Sequence, residues 1–219
     1  MNLKDKIVVV TGAGSGIGKA LVIRFKEEGA RRVVSVDLNA ESAMETADLV
    51  QDVSIAADVS VESDIVNVIE TTENDIGAID LFCSNAGVGM GRDLSSPNNE
   101  WQVSWDVNVM SHVYAARHLV PRMVERGGGY FLNTASAAGV LNQIGSVAYG
   151  VTKHAAVGFG EWLAIHHKHE GIRVSMLCPQ AVRTPMFQGS GTSPSAAAAG
   201  VDGVLEPEEV ADIVVKELE

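Results

Sequence analysis

A run of β-branched residues, Ile7-Val8-Val9-Val10, passes straight into Thr11-Gly12-Ala13-Gly14-Ser15-Gly16-Ile17-Gly18, and helical spacing (Ile17, Leu21, Phe25) begins at once behind it. Few folds accept this order. A short, continuous apolar run predicts a strand buried on both faces. Glycines between such a strand and a helix let the backbone turn tightly and come close to a ligand. The helix presents unpaired N–H groups at its start, which suit phosphate. This placement predicts a dinucleotide site with Gly12, Gly14, Ser15, Gly16, Ile17 and Gly18 around the pyrophosphate.

The same alternation runs through the chain. Val33-Val34-Ser35-Val36 predicts a second strand that ends at Asp37. Residues 53–57 predict a third, ending at Asp58, and 79–83 a fourth, broken by Asn85-Ala86-Gly87. Residues 130–134 and 172–177 predict two more, the last stopped by Pro179. Helices are expected at 17–28, 60–76, 101–125 with a kink at Pro121, 148–169, and from Pro207 onward. Alternating strands and helices with continuously apolar strands predict an α/β, Rossmann-like doubly wound parallel sheet with helices on both faces. The 219 residues are enough for one domain with a sizeable core, and an apolar content of 46% supplies it. Residues 189–203, rich in Gly, Ser and Ala, are expected to form part of a substrate lid over about 186–205.

Asp37 points to the cofactor. A carboxylate at the end of the second strand accepts hydrogen bonds from ribose hydroxyls and repels a 2′-phosphate, so NAD is expected and NADP is the alternative. Arg31 and Arg32 stand at the other end of that strand, and Ser15 brings no positive charge into the loop. A P-loop is excluded twice, by Ala13 in place of its first glycine and by Ala20 in place of Ser or Thr. The net charge of −12 argues against nucleic acid or an anionic membrane as partner. Cys83 and Cys178 fall in apolar runs that predict strands and read as buried thiols. The charged N-terminal residues Lys4, Asp5 and Lys6 do not resemble a signal peptide, and a cytoplasmic location is expected. His166, His167 and His169 do not converge as ligands should, so no metal is expected.

Tyr149 and Lys153 are spaced i,i+4 and share a helix face. An ammonium beside a phenol favours the phenolate. Bringing a tyrosine of ordinary pKa to work near pH 7 takes roughly 4 kcal/mol. Ser136 lies upstream, at the end of the fifth predicted strand.

Taken in order, Thr11-Gly12-x3-Gly16-x-Gly18, Asp58-Val59, Asn85-Ala86-Gly87, Asn108, Asn133-Thr134-Ala135-Ser136 and Tyr149-x3-Lys153 resemble the short-chain dehydrogenase/reductase family of the single-domain type. The resemblance implies an oxidoreductase that moves a hydride between a secondary alcohol and nicotinamide. It implies that Tyr149 is the base, Lys153 its partner and Ser136 the hydrogen-bond donor to the substrate oxygen. Asn108 would help to hold a water between Lys153 and solvent. On the cofactor side it implies Asp37, Leu38, Asp58, Val59, Asn85, Ala86, Gly87, Tyr149, Lys153, Pro179, Val182 and Thr184. On the substrate side it implies Val88, Met90, Ser136, Val140, Leu141, Asn142, Gln180, Met186 and Phe187. Most of these are apolar, so a mainly hydrophobic alcohol or ketone is expected. Gln180 departs from the family, where glycine is usual.

An NADPH-linked carbonyl or 3-oxoacyl reductase is the alternative. A non-catalytic nucleotide sensor on the same fold would have no need of the Ser–Tyr–Lys–Asn set. The family commonly forms homodimers or homotetramers, with the 101–125 and 148–169 helices at one interface. It also implies a seventh strand, which is missing from a chain that stops at Glu219.

Overall fold

The computed structural model describes residues 1–189, 197, 200–201 and 203–218. Six parallel strands form one sheet in the order β3-β2-β1-β4-β5-β6. They are β1 (Ile7–Thr11), β2 (Arg32–Asp37), β3 (Ser54–Ala56), β4 (Leu81–Ser84), β5 (Gly129–Thr134) and β6 (Ile172–Leu177). The helices are α1 (Gly16–Glu27), α2 (Ala40–Leu49), α3 (Glu62–Asp75), α4 (Asn98–Trp105), α5 (Ser111–Glu125), α6 (Val147–His166), α7 (Pro185–Gly189) and α8 (Pro207–Leu218).

The strands are apolar throughout because both faces are covered. Val8, Val10, Leu81 and Cys83 pack with Leu21 and Phe25 of α1 and Val214, Val215 and Leu218 of α8. Their neighbours Val9 and Phe82 face the other way, against Ile65 and Ile69 of α3, Leu119 and Met123 of α5 and Leu163 of α6. Phe25, Phe82 and Phe131 are wholly buried, and each such side chain contributes about 1.5–3 kcal/mol by leaving water. None of the helices among the described residues is long and apolar enough to cross a membrane.

The chain runs outward from β1 to β3 and then returns to place β4 on the other side of β1. This reversal opens a crevice at the carboxyl ends of β1 and β4, where doubly wound sheets bind ligands. Gly12 and Asn85 follow those two strands directly.

Several expectations are corrected. The sequence reading omits α2, whose buried residues are only Ala43, Thr46 and Ala47. Asn39 caps it, accepting from the N–H groups of Glu41 and Ser42. The 101–125 segment is not one α-helix bent at Pro121. A π-helical turn, Asp106–Met110, separates α4 from α5, and Pro121 lies within α5. The 148–169 segment ends as an α-helix at His166, with a separate 3-10 turn at Lys168–Glu170. Cys83 is buried, but Cys178 is only half-buried, one residue past β6. Most of the predicted lid lies outside the described residues; its start, Pro185–Gly189, is helical.

Candidate active site

The glycine turn is built by close approach. A Cβ at Gly18 would stand 2.0 Å from the carbonyl oxygen of Gly12, so α1 starts against the turn with no room for a side chain. Gly12 takes φ +67°, and a Cβ there would meet the backbone of Ala86 at 2.9 Å. Thr11 ties the two strand ends together. Its Oγ1 accepts from the N–H groups of Asn85 (3.0 Å) and Ala86 (3.2 Å). The Asn85 amide donates to the Thr11 carbonyl at 3.1 Å and accepts from Thr134 Oγ1 at 3.1 Å, joining β1, β4 and β5. Thr11 and Thr134 were therefore missed as site-building residues, although both lie inside the motifs that flagged their neighbours.

Asp37 sits where the strand pattern places it. One carboxylate oxygen accepts from the Gly14 N–H at 2.9 Å and the other from the Asn39 N–H at 3.0 Å. The acidic group therefore lines the glycine turn itself. Arg32 lies opposite Ile7, at the far end of β2, and pairs with the buried Asp52 at 2.6 Å. Asp58 is bonded by the Ser60 hydroxyl and N–H, Val59 is buried, and Leu38 is exposed. Thr184 closes on the turn, its Cγ2 2.8 Å from where a Cβ at Gly16 would be. Its own N–H bonds the Val182 carbonyl at 2.7 Å, so Pro179, Val182 and Thr184 follow β6 as one segment. This cradle fits a dinucleotide: glycine backbone with no space for side chains, a helix N-terminus behind it and a carboxylate at its rim.

Ser136, Tyr149 and Lys153 converge from β5 and α6. Ser136 follows β5 and is buried; its Oγ accepts from the Ala138 N–H at 3.1 Å and donates weakly to the Pro179 carbonyl at 3.4 Å. The Ser136 side chain lies near enough to the Tyr149 hydroxyl to favour its phenolate. Lys153 Nζ lies 5.6 Å from the centre of the Tyr149 ring and donates to the Thr134 carbonyl at 3.0 Å. Burial pushes Lys153 down to about 8.

The electrostatics of Tyr149 differ from the sequence expectation. Burial pushes its hydroxyl above the ordinary phenol value, and the nearby Ser136 side chain offsets only part of this. The Lys153 ammonium points at a carbonyl rather than at the phenol oxygen. At that distance desolvation outweighs its attraction.

Asn108, at the centre of the π turn, is fully buried. Its Oδ1 accepts from the Val88 N–H (2.9 Å), and its Nδ2 donates to the Val88 carbonyl (2.9 Å) and Thr152 Oγ1 (3.1 Å). Both N–H groups of the amide are thus taken up within the protein. A Cβ added at Gly87 would lie 3.2 Å from Asn108 Oδ1 and 3.3 Å from Lys153 Nζ, so both groups close on that bend. Asn108 thus clamps the segment after β4 onto α6.

The loops after β4 and before α6 meet beside Tyr149. The Ala148 N–H donates to the Gly91 carbonyl at 3.2 Å, and Asn142 Oδ1 packs where a Cβ at Gly150 would be. Both loops, after β4 and before α6, therefore rest on the first turn of α6. Met90, Val140, Leu141 and Met186 are exposed, as is Gln180, whereas Val88 and Phe187 are half-buried. Leu94 and Ile144, in the segments after β4 and before α6, are exposed as well. Among the described residues there is no cluster of three or more metal-ligating side chains.

Comparison with known proteins shows the family and the fold. The family described as short chain dehydrogenase matches residues 6–194. The chain is 38% identical to a 1-deoxy-11-beta-hydroxypentalenate dehydrogenase of Streptomyces exfoliatus, over 98% of this chain and 80% of that protein. It superposes on a short chain dehydrogenase/reductase from Burkholderia phymatum in complex with NAD with a TM-score of 0.90 at 26% identity, covering 100% and 87% of the two chains. It also superposes on L-sorbose reductase from Gluconobacter frateurii, complexed with NADPH and L-sorbose, with a TM-score of 0.88 at 28% identity, covering 98% and 90%.

Proposed function

We propose that this chain, which belongs to the short-chain dehydrogenase family, oxidises a secondary, mainly hydrophobic alcohol to its ketone, with NAD as cofactor. The observation that carries this reading is the meeting of Ser136, Tyr149 and Lys153 beside a glycine cradle with Asp37 at its rim. The nicotinamide, when bound, supplies the hydride acceptor and, in its oxidised form, a positive charge.

The side chains do the rest. Ser136 Oγ donates to the substrate oxygen and holds it while negative charge develops there. Tyr149 takes the hydroxyl proton. Lys153, as an ammonium, stabilises the resulting phenolate. Asn108 holds the bend at Gly87-Val88, and with it the wall behind Lys153. In the reverse direction Tyr149 returns the proton and a ketone is reduced. The exposed apolar side chains of Leu94, Leu141 and Ile144, in the segments after β4 and before α6, favour a hydrocarbon-rich substrate, in line with a relative named for a hydroxypentalenate. We place the protein in the cytoplasm as a homodimer or homotetramer. The exposed Trp105 and, on α6, Trp162 and Ile165 offer an apolar face for a second copy.

The choice of NAD rests on Asp37. The relative solved with NADPH keeps the alternative cofactor in view. Fluorescence titration is expected to show tighter binding of NADH than of NADPH by at least tenfold. Asp37→Ser should lose most of that preference, because the repelling carboxylate is gone. Tighter binding of NADPH by the unaltered protein would overturn the cofactor assignment.

A further inference from the structure

The segment after β4 is pinned at two points. At Val88, Asn108 accepts from the N–H and donates to the carbonyl, each at 2.9 Å. At Gly91, Glu100 of α4 accepts from the N–H at 3.1 Å, and the carbonyl accepts from the Ala148 N–H at 3.2 Å. Both backbone polar groups of Val88 and both of Gly91 are thus satisfied. Between the pins lies open space: a Cβ at Gly89 would meet no atom within 4 Å. Met90 beside it is 36% exposed. The result is a short strap, fixed at its ends and open in its middle.

The outer pin bears on the helix that carries Tyr149 and Lys153. Ser146, which precedes α6, makes no side-chain cap. The first N–H groups of a helix need partners from outside it. For Ala148 that partner is the Gly91 carbonyl. Gly91 takes φ +74°, and a Cβ on it would stand 2.4 Å from the Ala148 Cβ, so strap and helix touch without a gap. The residue after Tyr149 is gripped as well, since Asn142 Oδ1 lies 2.6 Å from where a Cβ at Gly150 would be. Tyr149 therefore stands between two contacts, and one of them leads through Gly91 to Glu100. α4 offers little else to hold the strap. Its one buried residue is Ser104, and Val103 and Trp105 are exposed. The half-buried Glu100 is its polar link to Gly91.

We propose that Glu100 is a positioning residue for the substrate: by holding the Gly91 N–H it fixes the Val88–Gly91 strap at a set distance from Tyr149, and the alcohol binds against that strap. The inference rests on the reading of Tyr149 as the base. A carboxylate accepting from a backbone N–H makes one of the stronger hydrogen bonds in a protein. Without it the strap leaves α6 part of the time. An alcohol then meets a formed site in only a fraction of the molecules, and apparent affinity falls by that fraction. The glycine cradle and Asp37 belong to other segments and are untouched.

The test compares Glu100→Ala with Glu100→Gln, whose side-chain carbonyl still accepts a hydrogen bond. Amide hydrogen exchange reads the clamp without substrate. In Glu100→Ala, residues 88–94 and 147–150 are expected to lose protection together by about tenfold, and in Glu100→Gln by about threefold or less. Kinetics with NAD⁺ and the best of cyclohexanol, menthol and borneol read its use. In Glu100→Ala the KM for the alcohol should rise about tenfold, with kcat down by about threefold or less and NADH affinity within about twofold. Gly91→Ala, which drives a methyl group into Ala148, should raise KM in the same way. The double variant should be no worse than the worse single variant, because both changes break one contact. Unmoved exchange at 147–150, or a KM raised equally by glutamine and by alanine, overturns the proposal. A lower melting temperature in Glu100→Ala with KM unmoved also overturns it and leaves Glu100 as packing alone. If exchange shifts as expected while Tyr149→Phe keeps full activity, the base assignment fails and the clamp stands.

Discussion

Replacing Tyr149 with phenylalanine is expected to lower kcat for alcohol oxidation by about 10³-fold, while the dissociation constant for NADH stays within about threefold. The ring keeps its place on α6, so the cradle at Gly12–Gly18 is untouched. What is lost is the oxygen that lies near Ser136 and that, in the proposed reaction, takes the substrate proton. Without that base, the alcohol must give up a hydride while it still holds its proton, which leaves a protonated carbonyl with no acceptor nearby. Ser136 donates a hydrogen bond but cannot serve as the base, because its own hydroxyl is far weaker as an acceptor of protons than a phenolate. Stopped-flow assays and NADH titration of the same preparation separate the two effects. A large loss of both binding and turnover would mean that the substitution had disturbed the fold.

Lys153→Met is expected to make the protein more stable and nearly inactive. In the folded protein burial holds Lys153 at about 8, against an ordinary value of 10.5. Below pH 8 both folded and unfolded chains carry the proton, and the fold bears the whole cost of burying the charge. Between about 8 and 10.5 the unfolded chain binds the proton and the folded one does not, so stability rises with pH. The penalty is gone above that window. The shift corresponds to roughly 3 kcal/mol at neutral pH. Methionine has similar length and no charge to bury, so its melting temperature at pH 7 should rise by several degrees. The gap between the two proteins should close as pH rises from 8 to 10.5. Turnover should fall by about 10²-fold or more, because the phenolate loses the ammonium beside it. In the proposed reaction the charge of this buried lysine offsets its cost to the fold.

Much of this was legible in the sequence because it is local. A strand that ends in glycines, a carboxylate that ends the next strand and a Tyr–Lys pair on one helix face are each set by spacing alone. The sixth strand, Ile172–Leu177, falls where the apolar run predicts it. α2 was not legible because its buried face is two alanines and a threonine, too weak a stripe to see. Its cap, Asn39, was the signal available. The π turn leaves no mark: Asp106-Val107-Asn108-Val109-Met110 reads as ordinary helix. The clamp that Asn108 forms was hidden for a related reason. Its partners Val88 and Thr152 are 20 and 44 residues away, and only the folded chain shows that they use both of its N–H groups. The raised phenol of Tyr149 was hidden too, since spacing reveals the neighbouring charge and not the desolvation that outweighs it.

The most direct test mixes the purified protein with NAD⁺ and a panel of apolar secondary alcohols, and follows reduced nicotinamide by its absorbance while the ketone is quantified. At least one alcohol is expected to give reduced cofactor and ketone in equal amounts, with Tyr149→Phe giving neither. Tight binding of NAD⁺ with no ketone from any alcohol, and no alcohol from the matching ketones with NADH or NADPH, would contradict the account.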